Sequence, residues 1–200
     1  MRNISLIIVL VSMIFSSCSS NDNNEGFESL TLTQEEINDL SFLREEEKLA
    51  RDVYIYAYNK YQLIIFNSIS NSEQSHMNSV LNLMNTYDIP DSASSEIGVF
   101  NNSELQEIYY SLIALVDISS VDALTVGAII EDLDINDIDH FINNTTKQDL
   151  LDVYDNLTCG SKNHIRSYTN QLEINGVTYA PQYISIEYYT EILSESIVGC

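Results

Sequence analysis

REEEKLARDVY, residues 44–54, is the stretch on which the fold turns. Around it Leu40, Leu43, Glu47, Ala50, Tyr54, Ala57 and Tyr61 recur at alternating steps of three and four, the spacing of one face of an α-helix. Every member of that stripe suits an apolar core except Glu47. A lone carboxylate turned inward costs on the order of several kcal/mol unless it is paired or holds a metal. The stretch therefore asks what Glu47 meets inside. Its neighbours Glu45 and Glu46 read as solvated.

The rest of the chain repeats the pattern. A first helix is expected from Thr33, where Thr33 and Glu36 form a capping box, to about Phe66. A second is expected from a Ser70–Glu73 box, with the stripe Glu73, His76, Val80, Leu83 and Tyr87, ending at Pro90. A shorter amphipathic helix carrying Leu105, Ile108, Leu112 and Val116 connects two helix pairs. The third long helix starts near Ser120. Its stripe runs Leu124, Gly127 or Ala128, Glu131, Asp134 or Ile135, Ile138, and Phe141 or Ile142; Gly127 and Ala128 are small enough to let a neighbouring helix approach. The fourth starts near Thr146, with Asp149 in its first turn and the stripe Leu150, Val153, Leu157, Ser161, His164, Tyr168 and Leu172, and Asn175-Gly176 ends it. An extended VTYAPQY and a short helix over Ser185 to Ser194 complete the chain. Only 2 Pro and 6 Gly interrupt it, and alternating strand patterns are scarce, so the fold class is all-α. The architecture is a four-helix bundle with an extra short connecting helix and a short C-terminal extension.

Each long helix thus places an acid or a histidine in mid-stripe: Glu47, then Glu73 and His76, then Glu131 and Asp134, then His164. Taken singly these are weak signals, since EQSH is an ordinary turn motif and a core histidine is more often hydrogen-bonded structure than a ligand. Together they describe four carboxylates and two imidazoles converging, with no Lys or Arg on any of the stripes. Carboxylates crowded into a dry core repel one another and take up protons. Divalent cations resolve this, and oxygen and imidazole donors without thiolate suit iron, manganese or zinc. The donor set is enough for two divalent metal ions. Residues i and i+3 project from one helix face, so Glu73 can bridge two ions while His76 caps one of them.

At the level of motifs, EKLARDVY (47–54) resembles the first helix of rubrerythrin-type ferritin-like proteins, in which a ligand Glu precedes a Tyr by seven positions, and EQSH (73–76) resembles their second-helix ligand pair. More closely, LREEEKLARDVY, SEQSHM, VGAIIEDLDIND, GSKNHIRSY and YAPQYIS resemble an uncharacterised ferritin-like domain of unknown function family, number 2202, over about residues 36–195. The resemblance implies a ferritin-like four-helix domain over residues 33–200, with Glu47, Glu73, His76, Glu131 and His164 as ligands of a di-metal, foremost di-iron, carboxylate site. It implies an oxidoreductase acting on oxygen, peroxide or ferrous iron. The chain departs from the pattern at Ser161, where the fourth helix of such proteins carries a glutamate. Asp134, one turn after Glu131, can restore the count, and a mononuclear or asymmetric site is the alternative. No CxxC pair is present, so electrons come from an external donor or from iron itself. The rival reading is a non-catalytic surface lipoprotein binding module with a structural metal or none. Tyr54 and Tyr168 lie on the inner stripes, either packing there or bonding the ligands, and His140 reads as surface.

Composition narrows the partners. At 44% hydrophobic residues the chain can bury a core, and 30 acidic against 8 basic residues, a net charge of −22, excludes nucleic acid. Arg2 followed by the apolar run of residues 4–15 reads as a signal peptide over residues 1–17, too short to span a bilayer. The run FSSC resembles a bacterial lipoprotein signal with lipid on Cys18, although Phe15 stands where that pattern prefers an aliphatic residue; a plain secretory signal is the alternative. Residues 18–32 then form a polar tether. This predicts a protein of the bacterial cell envelope, lipid-anchored to the outer membrane. A tethered N-terminus fits poorly into a closed iron-storage cage and is compatible with a homodimer. Cys159 and Cys200 can pair in an exported chain, but the position of Cys200 at the very end favours two free thiols.

Overall fold

The computed structural model describes residues 31–196 and 199–200. It is all-α. The helices are α1 (Gln34–Tyr61), α2 (Ile64–Thr86), α3 (Ser103–Val116), α4 (Ser120–Asn143), α5 (Gln148–Ile174) and α6 (Ile186–Ser194), and no strand occurs among the described residues. The expected signal peptide, Cys18 and most of the tether lie outside the described residues. None of the described helices is long and apolar enough to cross a membrane.

The capping box forms as expected: the Thr33 hydroxyl accepts the Glu36 N–H at 3.1 Å, and the Glu36 carboxylate accepts the Thr33 N–H at 2.7 Å. The first break falls earlier than expected. α1 stops at Tyr61, Gln62 turns left-handed with φ of 56°, and α2 begins at Ile64 rather than Ser70. Neither Gly nor Pro marks this turn. Instead the Gln62 side-chain amide donates to the Tyr58 and Asn59 carbonyls, closing the helix end that a glycine would otherwise cap. Ser70 sits inside α2, its hydroxyl on the Asn67 carbonyl. The expected Thr146 start of the last long helix also shifts. Lys147 is the N-cap and has no side-chain cap bond. Thr145 holds the junction, accepting the Lys147 N–H and donating to Glu36 at 2.6 Å.

The four long helices form a ring in which α1 touches α2 and α4, and α5 touches α2 and α4. Glu36 meeting Thr145 and Tyr54 meeting Glu131 make α1 and α4 antiparallel. Tyr87 meeting Asp149 and Ser72 meeting His164 do the same for α2 and α5. The connection from α2 to α4 therefore travels the length of the bundle, with α3 lying against α1 and α4.

That crossover explains why part of the charged run REEEK is not solvated. Glu45 accepts the N–H groups of Asn101 and Asn102, both at 2.8 Å. Lys48 is fully buried, donating to Asp52 at 2.6 Å and to the carbonyls of Glu96 and Val99. Asp52 also takes the Gly98 N–H at 2.9 Å. The expectation that Glu45 and Glu46 face water is corrected on both counts, since each is buried.

The core is two apolar clusters. One, near the start of α1, includes Leu40, Leu43, Val80, Met84, Ile138, Leu150 and Leu157. The other includes Val53, Tyr54, Phe66, Leu124, Ile165, Tyr168 and Leu172. Gly127 sets the spacing in the second. A Cβ there would lie 2.4 Å from the Tyr168 ring, which is itself wedged against Tyr54 and Phe66 with centroids 5.4 and 5.9 Å away. Gly127→Ala should therefore destabilise the fold by about 1–3 kcal/mol, through overpacking that outweighs its gain in helix propensity; a lower urea midpoint at unchanged m-value checks this.

The tail after α5 folds back over the bundle, and Cys159 and Cys200 form a disulfide. The expectation of free thiols is corrected. The returning tail carries the last residue to α5, which a reading of chain position alone does not foresee.

Candidate metal centre

Between the two apolar clusters lie the mid-stripe acids and histidines. His76 Nδ1 stands 2.8 Å from Glu73 Oε2 and 3.2 Å from Glu47 Oε2. His164 Nδ1 stands 2.9 Å from Glu73 Oε1 and 3.3 Å from Glu131 Oε2. The result is two groups, Glu47–Glu73–His76 and Glu73–Glu131–His164, in each of which one donor atom per residue lies within 4.8 Å of the others. Glu73 belongs to both and turns one oxygen to each imidazole. The two rings lie nearly parallel, 5.6 Å apart. The three glutamates are at most 2% exposed.

The donor chemistry fits metal ions. Glu47 Oε1, Glu73 Oε1 and His164 Nδ1 are buried without an aligned hydrogen-bond partner, although the last two are only 2.9 Å apart. Close donors that face one another without hydrogen-bond alignment suit a shared cation. The side chains of Arg44, Lys48 and Arg51 are bonded to Asp91 and Asp52, away from the site.

Neighbouring residues hold the donors in place. The Tyr54 hydroxyl donates to Glu131 Oε1 at 2.6 Å, leaving Oε2 for His164 and the centre. His164 Nε2 lies 3.1 Å from the Ser72 hydroxyl. The Tyr168 hydroxyl is buried and lacks an aligned partner. Gly160, whose role sequence reasoning misses, lets the His76 ring lie on the α5 backbone: a Cβ there would come within 2.6 Å of ring atoms Cε1 and Nε2. The available signal was a glycine in the interior of a long helix, which costs about 1 kcal/mol relative to alanine and so wants a packing reason.

Asp134 is buried beside the centre but outside both donor groups. Ser161 donates its hydroxyl to Asp134 Oδ2 and captures it. Asp132, also missed, is fully buried and turns away from the centre. It accepts the Tyr179 hydroxyl at 2.7 Å and the N–H groups of Gln182, Tyr183 and Ile184 at 2.5, 3.2 and 3.0 Å, fastening the extended tail to α4. His140 is exposed, as expected.

The electrostatics of the group involve its histidines as well as its acids. Burial pulls the His164 imidazole down, but the carboxylates of Glu131 and Glu73 outweigh it and push the ring up to about 10. His76 is raised in the same way by Glu47 and Glu73. Burial pushes Glu73 up, but both histidines outweigh it and hold the carboxyl well below the usual range. Burial, with Asp134 beside it, pushes Glu47 well up, and burial with Glu131 pushes Asp134 up to about 8. The surrounding carboxylates thus hold both imidazoles toward their charged form, which offsets part of the acid charge. The stripe reading counted the histidines only as ligands and so overlooked them as cations.

An uncharacterized protein domain family, DUF2202, matches residues 36–196. The uncharacterized protein MJ0754 of Methanocaldococcus jannaschii is 50% identical over 166 residues, covering 82% of this chain and 90% of that protein. The crystal structure of the hypothetical protein MJ0754 from Methanococcus jannaschii resembles this fold with a TM-score of 0.82 at 49% identity, covering 84% of this chain and 96% of that one. This relative comes from an archaeon, whose envelope has no outer membrane, and that overturns the expectation of a bacterial outer-membrane lipoprotein.

Proposed function

The chain belongs to DUF2202, a family of uncharacterized protein domains, and from that footing we propose that its bundle binds a pair of divalent metal ions, iron foremost, and serves in oxidoreduction of oxygen, peroxide or ferrous iron. The observation that carries this reading is Glu73, which offers one oxygen to each of two acid–histidine groups. Glu47, Glu73 and His76 would hold one ion; Glu73, Glu131 and His164 would hold the other. A bound pair of redox-active ions supplies the electrons and the open coordination positions.

The chain's own residues do the rest. Tyr54 fixes Glu131 so that a single oxygen faces inward. Asp134, raised to about 8, keeps a proton at neutral pH beside Glu47 and Glu131. The apolar clusters on either side exclude water, and the edges of His76 and His164, at 6% and 8% exposure, are the most open part of the two groups. Electrons beyond those of iron itself come from an external donor.

Reconstitution with ferrous iron in the absence of air tests the reading. Elemental analysis should find two irons per chain, and admitting oxygen or peroxide should consume it. A protein that retains no metal ends the proposal. The second reading, a non-catalytic module with a structural metal, is favoured by the imidazoles held toward their charged form, which offset part of the acid charge. Tight zinc binding with no consumption of oxygen or peroxide by the iron form would select it.

Metal uptake at pH 7 should release protons, because His164, raised to about 10, must lose its proton to become a ligand. Affinity should accordingly rise with pH through the neutral range. Zinc-binding enthalpies that vary with buffer ionisation enthalpy check this, and buffer-independent enthalpies contradict it. Tyr54→Phe should weaken the Glu131–His164 ion by about 10–100-fold while sparing the other, read by competition with a chelator.

A further inference from the structure

The Cys159–Cys200 disulfide lies on the outer side of α5 and plays no part in the centre. Cys159 is partly exposed and Cys200 is exposed. Cys159 lines a cleft of about 300 Å³, together with Asp155, Thr158, Lys162 and Arg166 of α5 and Glu195 just after α6. Cys200 Sγ accepts from the Asn163 side-chain amide at 3.1 Å. The bond is not what seats α6. Arg166 donates to the Ile192 carbonyl at 2.8 Å, and the Thr169 and Tyr189 hydroxyls meet at 3.0 Å, so α6 keeps these ties to α5 when the bond opens. The cleft carries both signs of charge. Arg166 faces Glu195 at 3.5 Å. Lys162 Nζ stands 5.0 Å from the centre of the Tyr188 ring and is paired with no carboxylate among the described residues. Asp155 is exposed. Disulfides this open to solvent are the ones that exchange with thiols.

We propose that this cleft is a thiol–disulfide exchange site for a small thiol of the amino-acid type, one that carries both a carboxylate and an ammonium group. Lys162 takes the carboxylate, Asp155 takes the ammonium, and the thiolate is brought to Cys159, the half of the disulfide that lines the cleft. A bond forms between the incoming sulfur and Cys159 Sγ. The Cys159–Cys200 bond breaks, and its electron pair leaves on Cys200 Sγ, where the Asn163 N–H meets the new thiolate. The proton given up by the incoming thiol reaches that sulfur through solvent. A second thiol then attacks the small molecule's sulfur in the mixed disulfide and releases Cys159 as a thiol. In total, two small thiols are oxidised to their disulfide and the protein disulfide is reduced to two thiols. Glu195, paired with Arg166, makes the cleft a poor host for simple anions and favours a ligand of mixed charge.

The metal centre takes no part, so the full chain is tested as purified. Under native conditions it is incubated with L-cysteine or with 2-mercaptoethanol, quenched with acid, alkylated and mapped by peptide mass spectrometry. The expected first product is free cysteine joined to Cys159, with Cys200 alkylated. L-cysteine should also outpace 2-mercaptoethanol by about threefold or more beyond the ratio of their rates on the urea-unfolded chain, a reference that cancels their intrinsic difference in reactivity. Lys162→Ala should remove that excess with helicity unchanged. Should the alanine variant lose helicity, Lys162→Met, which keeps the side-chain stem over Tyr188, takes its place. An adduct on Cys200 overturns the assignment. So do equal normalised rates for the two thiols, an excess that survives the loss of Lys162, or a native bond that resists both thiols while the unfolded chain is reduced.

Discussion

Glu73→Ala should empty the centre of both ions, whereas Glu47→Ala should remove only one. Glu73 is the one side chain common to both donor groups, with an oxygen at 2.8 Å from His76 Nδ1 and the other at 2.9 Å from His164 Nδ1. Removing it leaves each group with one carboxylate and one imidazole, and affinity at each should fall on the order of a hundredfold or more. The metal-free protein should respond too. Glu73 is one of the carboxylates that hold both imidazoles in their charged form, so without it burial gains weight and His164 should titrate well below its wild-type value of about 10. Metal per chain by elemental analysis reads the first effect, and the His164 ring resonance followed against pH reads the second. Two ions per chain in Glu73→Ala would show that Glu73 bridges nothing.

Asp132→Ala should be the most destabilising change outside the centre, at about 3–5 kcal/mol. The carboxylate is fully buried and answers one hydroxyl and three consecutive backbone N–H groups of the tail. An alanine leaves those N–H groups without an acceptor, and a helix or strand partner is not at hand to replace it. Against a total stability of about 5–15 kcal/mol, this is a large share. Loss should begin locally: the segment 177–184 should lift from α4 and become open to proteases before the long helices melt. Asp132→Asn keeps one acceptor oxygen and should cost less. A wild-type urea midpoint and cleavage pattern in Asp132→Ala would show that the tail is held by other means, such as the Tyr179–Tyr189 ring contact or the disulfide.

The bundle was legible because its signal is periodic and repeated. The stripes of α1, α2, α4 and α5 each span several turns, and the residues they nominate as inward, from Leu40 to Leu172, are buried with few exceptions. The turn at Gln62 was not legible, because a glutamine that caps a helix with its own amide leaves no compositional mark. The burial of Glu45 was not legible either. Its partners, Asn101 and Asn102, lie far along the chain, and periodicity within one helix says nothing about a crossover lying on its outer face. At the centre, helical spacing brought Glu47, Glu73, His76, Glu131 and His164 onto facing stripes, and the structure places their side chains together. Asp134 shares that spacing, yet a neighbour on another helix, Ser161, takes its carboxyl. Spacing along one helix gives direction from its axis. It does not give the company a side chain finds across the seam.

The donors of the centre are divided unequally between the two antiparallel helix pairs. The α1–α2 pair carries Glu47, Glu73 and His76, a complete set for one ion, while the α4–α5 pair carries only Glu131 and His164. The tight turn at Gln62 makes the first pair a local structure, quick to form, whereas joining the pairs requires the whole α3 crossover to be laid down. On the two-ion reading proposed above, assembly would have a built-in order: the first half would capture its cation alone, and the second cation, shared through Glu73, would rivet the halves together. Folding from denaturant in the presence of zinc should accordingly show an early zinc-dependent phase and a later docking phase that quickens with zinc concentration.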